Sequence, residues 1–400
     1  MKIKDIKTKI IKNSREEEII KVELLYGESI SVSASVPQGK STGEKEAISL
    51  NAEISIQNIK NIITPLVIDK EFSSQEDFDN FLINLDGTEN KSHLGANTIL
   101  ALSLAFARAT AKLQDKPLYR YISDITNLEV GLPNFYMNLI NGGEHANNNL
   151  EWQEYMVVVS AKTAKRQLLI GEEIFSRLAV RFKEIGKNIN YGDEGGYDIN
   201  FKDNEEPLTI LNNIIVKLGY QNKVKLALDV AANSFSQQNG AYYTMRGSRT
   251  SPSQLTDIYK NIINKYPIIS IEDPFDEHQI KDYATLNQFL KAKNGFVVGD
   301  DLTATNPKLI KIALNSIGGV IIKPNQIGTL TETLKSIKMI RETGLKIIVS
   351  HRSGETMDSF IADLAYGVGA FGLKAGAPRP KERMAKYNRI IAIDGRLIAS

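Results

Sequence analysis

The run KLALDVAA (225–232) opens a stretch, Lys225 to Pro378, in which six short apolar runs each end on charged or strongly polar residues. The other five runs are IISIEDPF (268–275), FVVGDDLT (296–303), GVIIKPNQIG (319–328), KIIVSHRSG (346–354) and FGLKAGAP (371–378). Longer segments with mostly helical periodicity separate the runs, which predicts parallel strands joined by right-handed crossovers. A β/α barrel builds its active site from residues at the carboxyl ends of its strands. The stretch therefore predicts an enzyme with a barrel fold.

The composition is that of an ordinary globular chain, with 42% hydrophobic and 24% charged residues among 400. A net charge of +2 without a long basic tract gives no reason to expect nucleic-acid binding. The absence of cysteine excludes disulfides and thiolate-bound metals, and four histidines are too few for a histidine-rich metal site. The longest apolar run, near Thr98–Ala107, is shorter than the roughly 20 residues of a membrane span. We therefore expect a cytoplasmic protein with no signal peptide and no transmembrane segment.

The amino-terminal third of the chain has a different pattern. Residues 19–36 alternate apolar and polar positions about a turn near Gly27, which predicts a hairpin with one buried face. The apolar run Ala96–Leu113 predicts a helix whose small residues suit close packing. We therefore expect an α+β domain, a small antiparallel sheet beside helices, over residues 1–125. An α/β barrel is expected over residues 132–400.

A polar loop, Gln38–Gly43, follows the hairpin, and two glycines flank its central Lys40-Ser41-Thr42 segment. The string ASVPQGKS is close to a phosphate-binding loop. However, Pro37 lacks a backbone donor and the run ends a hairpin strand instead of joining a strand to a helix, which argues against nucleotide binding. We expect a flexible loop that folds over a ligand.

Asp229, Glu272 and Asp300 each end a predicted strand, and three successive parallel strands would bring their carboxylates to one point. Unpaired carboxylates that share a pocket repel each other and have raised pKa values. A hard divalent cation relieves this repulsion, and an all-oxygen ligand set suits Mg²⁺. The alternative is that each acid caps the helix that follows it. Because all three are in register, we predict a Mg²⁺ site.

Lys323 and Lys374 end the next strand and the last strand of the series. An ammonium group beside a divalent cation and another lysine has its neutral form favoured, which makes a competent general base. A structural ion pair is the alternative for either lysine. We predict a lysine base beside the metal.

His351, Arg352 and Ser353 also follow a predicted strand. An arginine binds phosphate or carboxylate groups in a bidentate manner, and the neighbouring serine adds a hydroxyl and an N–H group. These residues predict an anionic substrate. An arginine paired with an acid of the barrel is the alternative.

Two glycine-rich segments upstream, NGGEHANNN (141–149) and YGDEGG (191–196), carry weaker signals. The first contains His145, and a lone histidine in a loop is as readily structural as catalytic, so both roles stay open. The second contains Glu194, whose flanking glycines permit a strained presentation of the side chain. Glu194 is therefore a candidate general acid.

Together these strings resemble the signatures of the enolase family, the glycolytic phosphopyruvate hydratases. In chain order they are SVPQGKSTG, SHLGANTILALSLA, NGGEHA, QEYM, GDEGG, SIEDPF, VGDDLTATNP, IIKPNQIGT, SHRSGET, IADL and KAGAPRPKERMAKYN. The resemblance extends from about Ser14 to Asn388, nearly the whole chain. It implies an atypical barrel that begins ββαα, and a Mg²⁺-dependent hydro-lyase. The implied reaction is the reversible dehydration of 2-phosphoglycerate to phosphoenolpyruvate.

The resemblance also implies a role for each residue that matches a family motif. The implied ligands of a tight Mg²⁺ are Asp229, Glu272 and Asp300, and Ser41 would bind a second Mg²⁺ that arrives with the substrate. The implied catalytic residues are Lys323 as the base at C2, Glu194 with Glu154 as the acid at the C3 hydroxyl, and His145 on a mobile loop. The implied substrate contacts are Gln153, His351, Arg352, Ser353 and Lys374, with phosphate at Arg352 and Ser353 and carboxylate at Lys374.

The chain also departs from the family pattern. The string NSREEEI stands where a DSRGNPT-like string is typical, and Gln38 and Lys40 stand where the loop usually has Ser and Ala. Glu144 precedes His145 where a small residue is usual. These changes bear on loop closure and on the second metal, because Lys40 adjoins Ser41.

Two other functions stay open at this point. A diverged enolase paralogue with impaired catalysis that acts as a binding protein is suggested by the altered loop. Another member of the superfamily, acting on a carboxylate sugar, is opposed by Arg352 and Ser353. The resemblance further implies a homodimer, or an octamer built as a ring of dimers, with contacts near Arg15 and Glu17.

Overall fold

A three-stranded antiparallel sheet forms the start of the chain. The computed structural model describes residues 1–27, 30–40, 43 and 45–399, with residues 398 and 399 described by their backbone alone. The strands, in spatial order, are β1 (Ile3–Lys12), β2 (Glu18–Tyr26) and β3 (Ile30–Ser35). Ile20, Val22 and Leu24 of β2 are buried, as their alternation predicted. β1 was not predicted, because its lysines obscure the apolar period.

Helices cover one face of this sheet. They are α1 (Ala52–Asn58), α2 (Thr64–Val67), α3 (Gln75–Asp86), α4 (Ala96–Leu113) and α5 (Leu118–Thr126). α4 packs against β2 and β3, and its buried Ala101 and Ala105 permit the close approach that the sequence predicted. α3 begins where the Ser74 side chain accepts a hydrogen bond from the Asp77 N–H, and ends at Gly87 in the left-handed conformation.

The rest of the chain forms a closed barrel with short strands beside it. In chain order the strands are β4 (Asn134–Asn141), β5 (Glu154–Val159), β6 (Asn190–Tyr191), β7 (Tyr197–Asp198), β8 (Val224–Asp229), β9 (Ser236–Gln237), β10 (Tyr242–Met245), β11 (Ser248–Thr250), β12 (Ile268–Glu272), β13 (Phe296–Gly299), β14 (Gly319–Ile322), β15 (Lys346–Ser350) and β16 (Gly372–Lys374). The barrel order is β4-β5-β8-β12-β13-β14-β15-β16, and β16 pairs with β4 to close it. Every barrel pairing is parallel except the two made by β5.

The helices of this part connect or cover the barrel strands. They are α6 (Ala164–Glu184), α7 (Glu206–Lys217), α8 (Pro252–Lys265), α9 (Ile280–Lys291), α10 (Pro307–Ala313), α11 (Pro324–Ile327), α12 (Leu330–Thr343), α13 (Phe360–Gly367) and α14 (Lys381–Ala399). α6 and α7 both lie between β5 and β8, so the barrel begins ββαα, and the predicted fold class is confirmed. The six runs of residues 225–378 form β8 and β12 to β16. In the described part of the chain, no helix combines the length and apolar character needed to cross a membrane.

Buried polar contacts join the two parts of the chain. The Asp79 carboxylate of α3 accepts a hydrogen bond from the Thr331 N–H at the start of α12, at 2.9 Å. Arg108 of α4 forms a two-pronged ion pair with Asp358, with both N–O distances below 2.8 Å. These contacts fix the amino-terminal part, and with it the loop that starts at Gln38, against the barrel.

The barrel interior is apolar below the carboxyl ends of the strands. Ala227, Val298 and Ile321 belong to this interior cluster and are buried. Because strand side chains alternate between faces, the residues two positions further along each strand also point inward. Those positions lie at the carboxyl ends, where charged residues stand.

Candidate active site

The carboxyl ends of the barrel strands enclose a cavity of about 340 Å³. Glu154 is the first residue of β5. Because β5 runs opposite to its neighbours, Glu154 lies at this same end of the barrel, opposite Asp229 in the register of β5 and β8. The residues proposed for the site that line the cavity are His145, Gln153, Glu154, Glu194, Asp229, Asp300, Lys323, His351, Arg352, Ser353 and Lys374. Glu272 is buried beside them and contacts Lys374. Ser41 lies outside the described residues.

The first of two charged groups in the cavity is the lysine-paired acids: Asp229, Glu272 and Asp300 with Lys323 and Lys374. The Lys374 ammonium donates to Asp229 Oδ2 and to both oxygens of Glu272, each at 2.8 Å. Burial and the Asp229 carboxylate raise the pKa of Glu272. Burial alone would lower the pKa of Lys374, but the surrounding carboxylates outweigh burial and raise it well above its usual range. Lys374 therefore carries a positive charge among these acids.

Asp300 is held separately from the other two acids. It pairs with the Lys323 ammonium, and its Oδ1 accepts a hydrogen bond from the Gln326 amide at 2.9 Å. Burial opposes ionisation, but Lys323 and Lys374 outweigh burial and lower the pKa of Asp300 to about 2. In turn Asp300 overcomes the effect of burial on Lys323 and raises the pKa of that lysine. In these contacts the carboxylate lies directly against the ammonium, and the expectation of a neutral Lys323 beside a bound Mg²⁺ stays a prediction.

Asp229, Glu272 and Asp300 offer buried carboxylate oxygens as ligands. Because their negative charge needs compensation, these ligands suit a hard divalent cation. Their oxygens are spread around two lysines. Among the described residues, the trio whose candidate ligand atoms all lie within 4.8 Å of one another is a different one, His145, Glu154 and Glu194. This second trio mixes a ring nitrogen with carboxylates.

The second charged group is the histidine-lined acids: Glu154 and Glu194 with His145 and His351. His145 Nδ1 lies 3.6 Å from a Glu154 oxygen and 3.7 Å from a Glu194 oxygen. His351 Nε2 lies 3.1 Å from Glu194 Oε1, and the Asn138 amide donates to Glu194 Oε2 at 3.0 Å. All four titratable side chains are buried, so each acts strongly on the pKa values of the others.

The proton distribution in the histidine-lined acids follows from burial. Burial lowers the pKa of His351 to about 3 and also lowers the pKa of His145, so both rings are neutral near neutral pH. Burial and the neighbouring Glu194 raise the pKa of Glu154 well above its usual range. Burial acts in the same direction on Glu194, but its contacts with His351 and His145 outweigh burial and lower the pKa of Glu194. Of the two carboxyls, Glu154 is therefore the one whose protonated form is favoured.

Glycines allow the turn that carries Glu194 to approach its neighbours. Gly195 has φ +83°, and a side chain there would meet Pro380. A Cβ on Gly192 would lie 2.5 Å from the His145 carbonyl oxygen. The GDEGG string therefore brings Glu194 to His145 at a distance that larger residues would not permit.

Arg352 and Ser353 lie under the loop that the sequence predicted to cover a ligand. Arg352 Nη1 donates to Glu46 at 2.8 Å, so the arginine pairs with an acid of the amino-terminal part and not with the barrel acid of the predicted alternative. The Lys40 N–H donates to Ser353 Oγ at 2.8 Å, and Gly39 packs directly on the Arg352 guanidinium, where a Cβ would clash. Lys40 Nζ donates to the Glu144 carbonyl oxygen at 2.6 Å. Lys40 and Glu144 are two of the residues that depart from the family pattern, and here they contact each other.

Four polar side chains that contact the predicted residues were missed by sequence reasoning: Glu46, Asn138, Gln326 and Arg383. Arg383 is fully buried although it lies on the amphipathic α14. Arg383 lies in the string KERMAKYN, which is part of a family signature. The string does not indicate that the arginine side chain points into the protein. Glu46 and Asn138 carry no local signal, since each meets its partner through the fold.

An eight-stranded barrel with one antiparallel strand, and with acids, lysines and an arginine gathered at the strand ends, has the active-site arrangement of a β/α-barrel enzyme. The family model described as "Enolase, C-terminal TIM barrel domain" matches residues 129–400, and "Enolase, N-terminal domain" matches residues 3–122. The chain belongs to the enolase family.

Full-length relatives agree with the family models. An enolase of Methanopyrus kandleri is 40% identical over 410 residues, which cover 98% of this chain and 95% of the relative. An enolase of Solanum lycopersicum is 39% identical over 424 residues, covering 99% of this chain and 95% of the relative. These relatives support an enolase function that uses a metal cofactor, and they do not favour the alternative functions.

Proposed function

We propose that this chain catalyses the reversible dehydration of 2-phosphoglycerate to phosphoenolpyruvate. The observation that carries the proposal is that one cavity is lined by Lys323 at a strand end, by the buried carboxyls of Glu154 and Glu194, and by Arg352 with Ser353. The reaction needs a group of each kind: a base for the C2 proton, an acid for the C3 hydroxyl and a partner for the phosphate.

Arg352 and Ser353 would bind the phosphate. A guanidinium presents N–H donors in a planar fork that matches a phosphate group, and Arg352 lines the cavity. The Ser353 hydroxyl can donate to phosphate while it accepts from the Lys40 N–H. Gln153 lines the same cavity and would make a further contact.

Lys323 would remove the C2 proton. The C2 hydrogen is weakly acidic, because its removal places a second negative charge on the carboxylate end of the substrate. Lys374, already among carboxylates, would face that end and stabilise the developing charge. In these contacts Lys323 is an ammonium paired with Asp300, so it would have to lose a proton as well as release Asp300 before it could accept the C2 proton.

We propose Mg²⁺ as the metal, bound by Asp229, Glu272 and Asp300. When bound there, Mg²⁺ would supply positive charge for the enediolate that deprotonation produces. A second Mg²⁺ bound with substrate through Ser41 completes the proposed metal content.

Glu154 and Glu194 would assist the loss of the C3 hydroxyl. A leaving hydroxide must be protonated, and burial raises the pKa of Glu154, which favours the protonated form of that carboxyl. Asn138 and His351 fix both oxygens of Glu194, which keeps its orientation constant. The loop around Lys40 and the His145 loop, joined through the Glu144 carbonyl, would exclude water from the reacting carbon.

We also propose a cytoplasmic homodimer, or an octameric ring of dimers, and a division of the chain into domains at residues 1–125 and 132–400. The region implied for subunit contacts is the connection between β1 and β2, where Arg15 pairs with Glu17 at 3.0 Å. Light scattering at micromolar concentration checks the assembly, and a monomer would contradict it.

The test of the proposed function is phosphoenolpyruvate formation, followed by its ultraviolet absorbance, from 2-phosphoglycerate and Mg²⁺. We expect activity in the wild type, loss of activity after chelation and recovery when Mg²⁺ is restored. Lys323→Ala should be inactive, while Lys335→Ala, which removes an exposed lysine paired with Glu76, should retain activity. Absence of activity at every Mg²⁺ concentration would refute the proposal.

A further inference from the structure

Arg383 makes an unusual set of contacts for a buried cation. Its side chain is fully buried near the start of α14. Its acceptors are His351 Nδ1 at 2.6 Å and the carbonyl oxygens of Arg352 at 2.6 Å, Ser353 at 2.6 Å and Asp193 at 3.2 Å. A buried guanidinium is stable only where its N–H groups find partners, and here the partners are one ring nitrogen and three backbone oxygens.

The contact with His351 determines which nitrogen of the ring carries a proton. A guanidinium has donors and no acceptor, so His351 Nδ1 must accept the hydrogen bond with its lone pair. The neutral ring then carries its proton on Nε2. Nε2 lies 3.1 Å from Glu194 Oε1, so the protonated nitrogen is the one on the side of that carboxylate, although the pair is not aligned as a hydrogen bond.

The three carbonyl contacts join the other parts of the site. Arg352 and Ser353 are the proposed phosphate contacts, and Asp193 immediately precedes Glu194. The Arg383 guanidinium therefore contacts three parts of the site: the backbone of the proposed phosphate contacts, the turn that carries Glu194, and the His351 ring beside Glu194.

We propose that Arg383 is a positioning residue that holds His351 with its proton on Nε2, facing Glu194, and fixes the Arg352–Ser353 backbone at the substrate phosphate. The kinetic consequence rests on the proposed function, whereas the state of the ring does not. A displacement of about 1 Å in such a site can cost on the order of 10²-fold in rate.

The direct test is nitrogen NMR of protein labelled in histidine. The chain has four histidines, so His351 can be assigned by its absence in His351→Asn. In the wild type we expect His351 protonated on Nε2 alone. In Arg383→Met we expect that preference to be lost. A wild-type ring protonated on Nδ1, or an unchanged ring in Arg383→Met, would overturn the proposal.

Arg389→Met is the matched control, because Arg389 lies on the same helix and forms a two-pronged ion pair with Asp363. We expect His351 to be unchanged in this variant, and a changed ring would mean that α14 acts on the site through its general stability.

Arg383→Lys keeps the charge but cannot donate from two nitrogens to the ring and the carbonyls together. We expect kcat to fall on the order of 10²-fold, with a melting temperature near that of Arg389→Lys. If Arg383→Met does not fold, Arg383→Lys provides the ring measurement, and a wild-type kcat with a wild-type ring in this variant refutes the proposal. If the wild type itself lacks activity on 2-phosphoglycerate, the proposed function fails while the ring measurement still decides the role of Arg383.

Discussion

The lysine-paired acids and the histidine-lined acids share one cavity, but their charges are balanced in different ways. In the first group, two ammonium groups lie against Asp229, Glu272 and Asp300. In the second, Glu154 and Glu194 meet rings that are neutral near neutral pH. A lysine keeps its charge throughout the usual pH range, whereas a carboxyl–imidazole group redistributes protons.

The difference indicates a division of labour. The lysine-paired acids lie against two ammonium groups, which suits a group that binds a cation and stabilises an anion. The histidine-lined acids include Glu154, whose pKa is raised by burial, which suits a group that protonates a leaving hydroxyl. Lys374 joins the two groups, since its ammonium also lies 3.4 Å from a Glu154 oxygen.

The largest effect on the lysine-paired acids is expected from Lys374→Met. This change leaves Asp229 and Glu272 buried without their cation, and breaking a buried pair costs about 3–5 kcal/mol in the free energy of unfolding. Urea denaturation of the metal-free protein measures the loss, and activity should be abolished. Added Mg²⁺ should restore part of the stability, because a divalent cation can replace the ammonium charge.

The control is Lys335→Met, which removes an exposed pair with Glu76. Exposed pairs contribute about 0–1 kcal/mol. Equal losses in the two variants would show that the lysine-paired acids do not depend on Lys374.

A smaller effect is expected on the pH dependence of stability, and it concerns His351 of the histidine-lined acids. The pKa of His351 is about 3 in the folded chain, below its ordinary value of 6.5, so the unfolded chain binds a proton that the folded chain does not. Stability should therefore fall as the pH drops below about 6.5. His351→Asn should lose less stability than the wild type between about pH 7.5 and about pH 5, by on the order of 1 kcal/mol.

Urea denaturation at both pH values checks this expectation, with exposed His278→Asn as the matched control. Identical pH dependence in the wild type and His351→Asn would show that the ring is not held neutral.

The smallest expected effect is that of Lys40→Met. The Lys40 side chain is 41% exposed and lies 3.4 Å from Asp193, so its ion pair contributes about 0–1 kcal/mol. Its N–H bond to Ser353 is made by the backbone and survives the change. We expect the KM for 2-phosphoglycerate to change by less than about fivefold. Lys116→Met, which removes an exposed pair with Asp124, is the control. A loss of activity comparable to that of Lys374→Met would contradict this expectation and would show that the Lys40 side chain is essential for activity.

The barrel and the lysine-paired acids could be predicted because strand periodicity and strand ends are local properties. Asp229, Asp300 and Lys323 each stand two positions beyond a buried apolar residue, which places them on the inner face. The proton state of Lys323 could not be predicted from that placement, because it depends on the contact with Asp300 across the barrel.

The histidine-lined acids were harder to predict. Glu154 reaches the cavity only because β5 is antiparallel, a property that no local pattern encodes and that was expected through the family resemblance. The turn with Glu194 and the side chain of Arg383 meet through contacts distant in sequence. For the same reason Glu46 was not identified as the partner of Arg352.

The division of labour is tested most directly by following 2-phosphoglycerate in D₂O with Mg²⁺, measuring exchange of the C2 hydrogen and formation of phosphoenolpyruvate separately. The account predicts that Glu194→Gln still exchanges the C2 hydrogen through Lys323 but forms phosphoenolpyruvate more slowly by about 10²–10⁴-fold. Lys323→Ala should do neither. Exchange at C2 that persists in Lys323→Ala, or that is lost in Glu194→Gln as completely as dehydration, would contradict it.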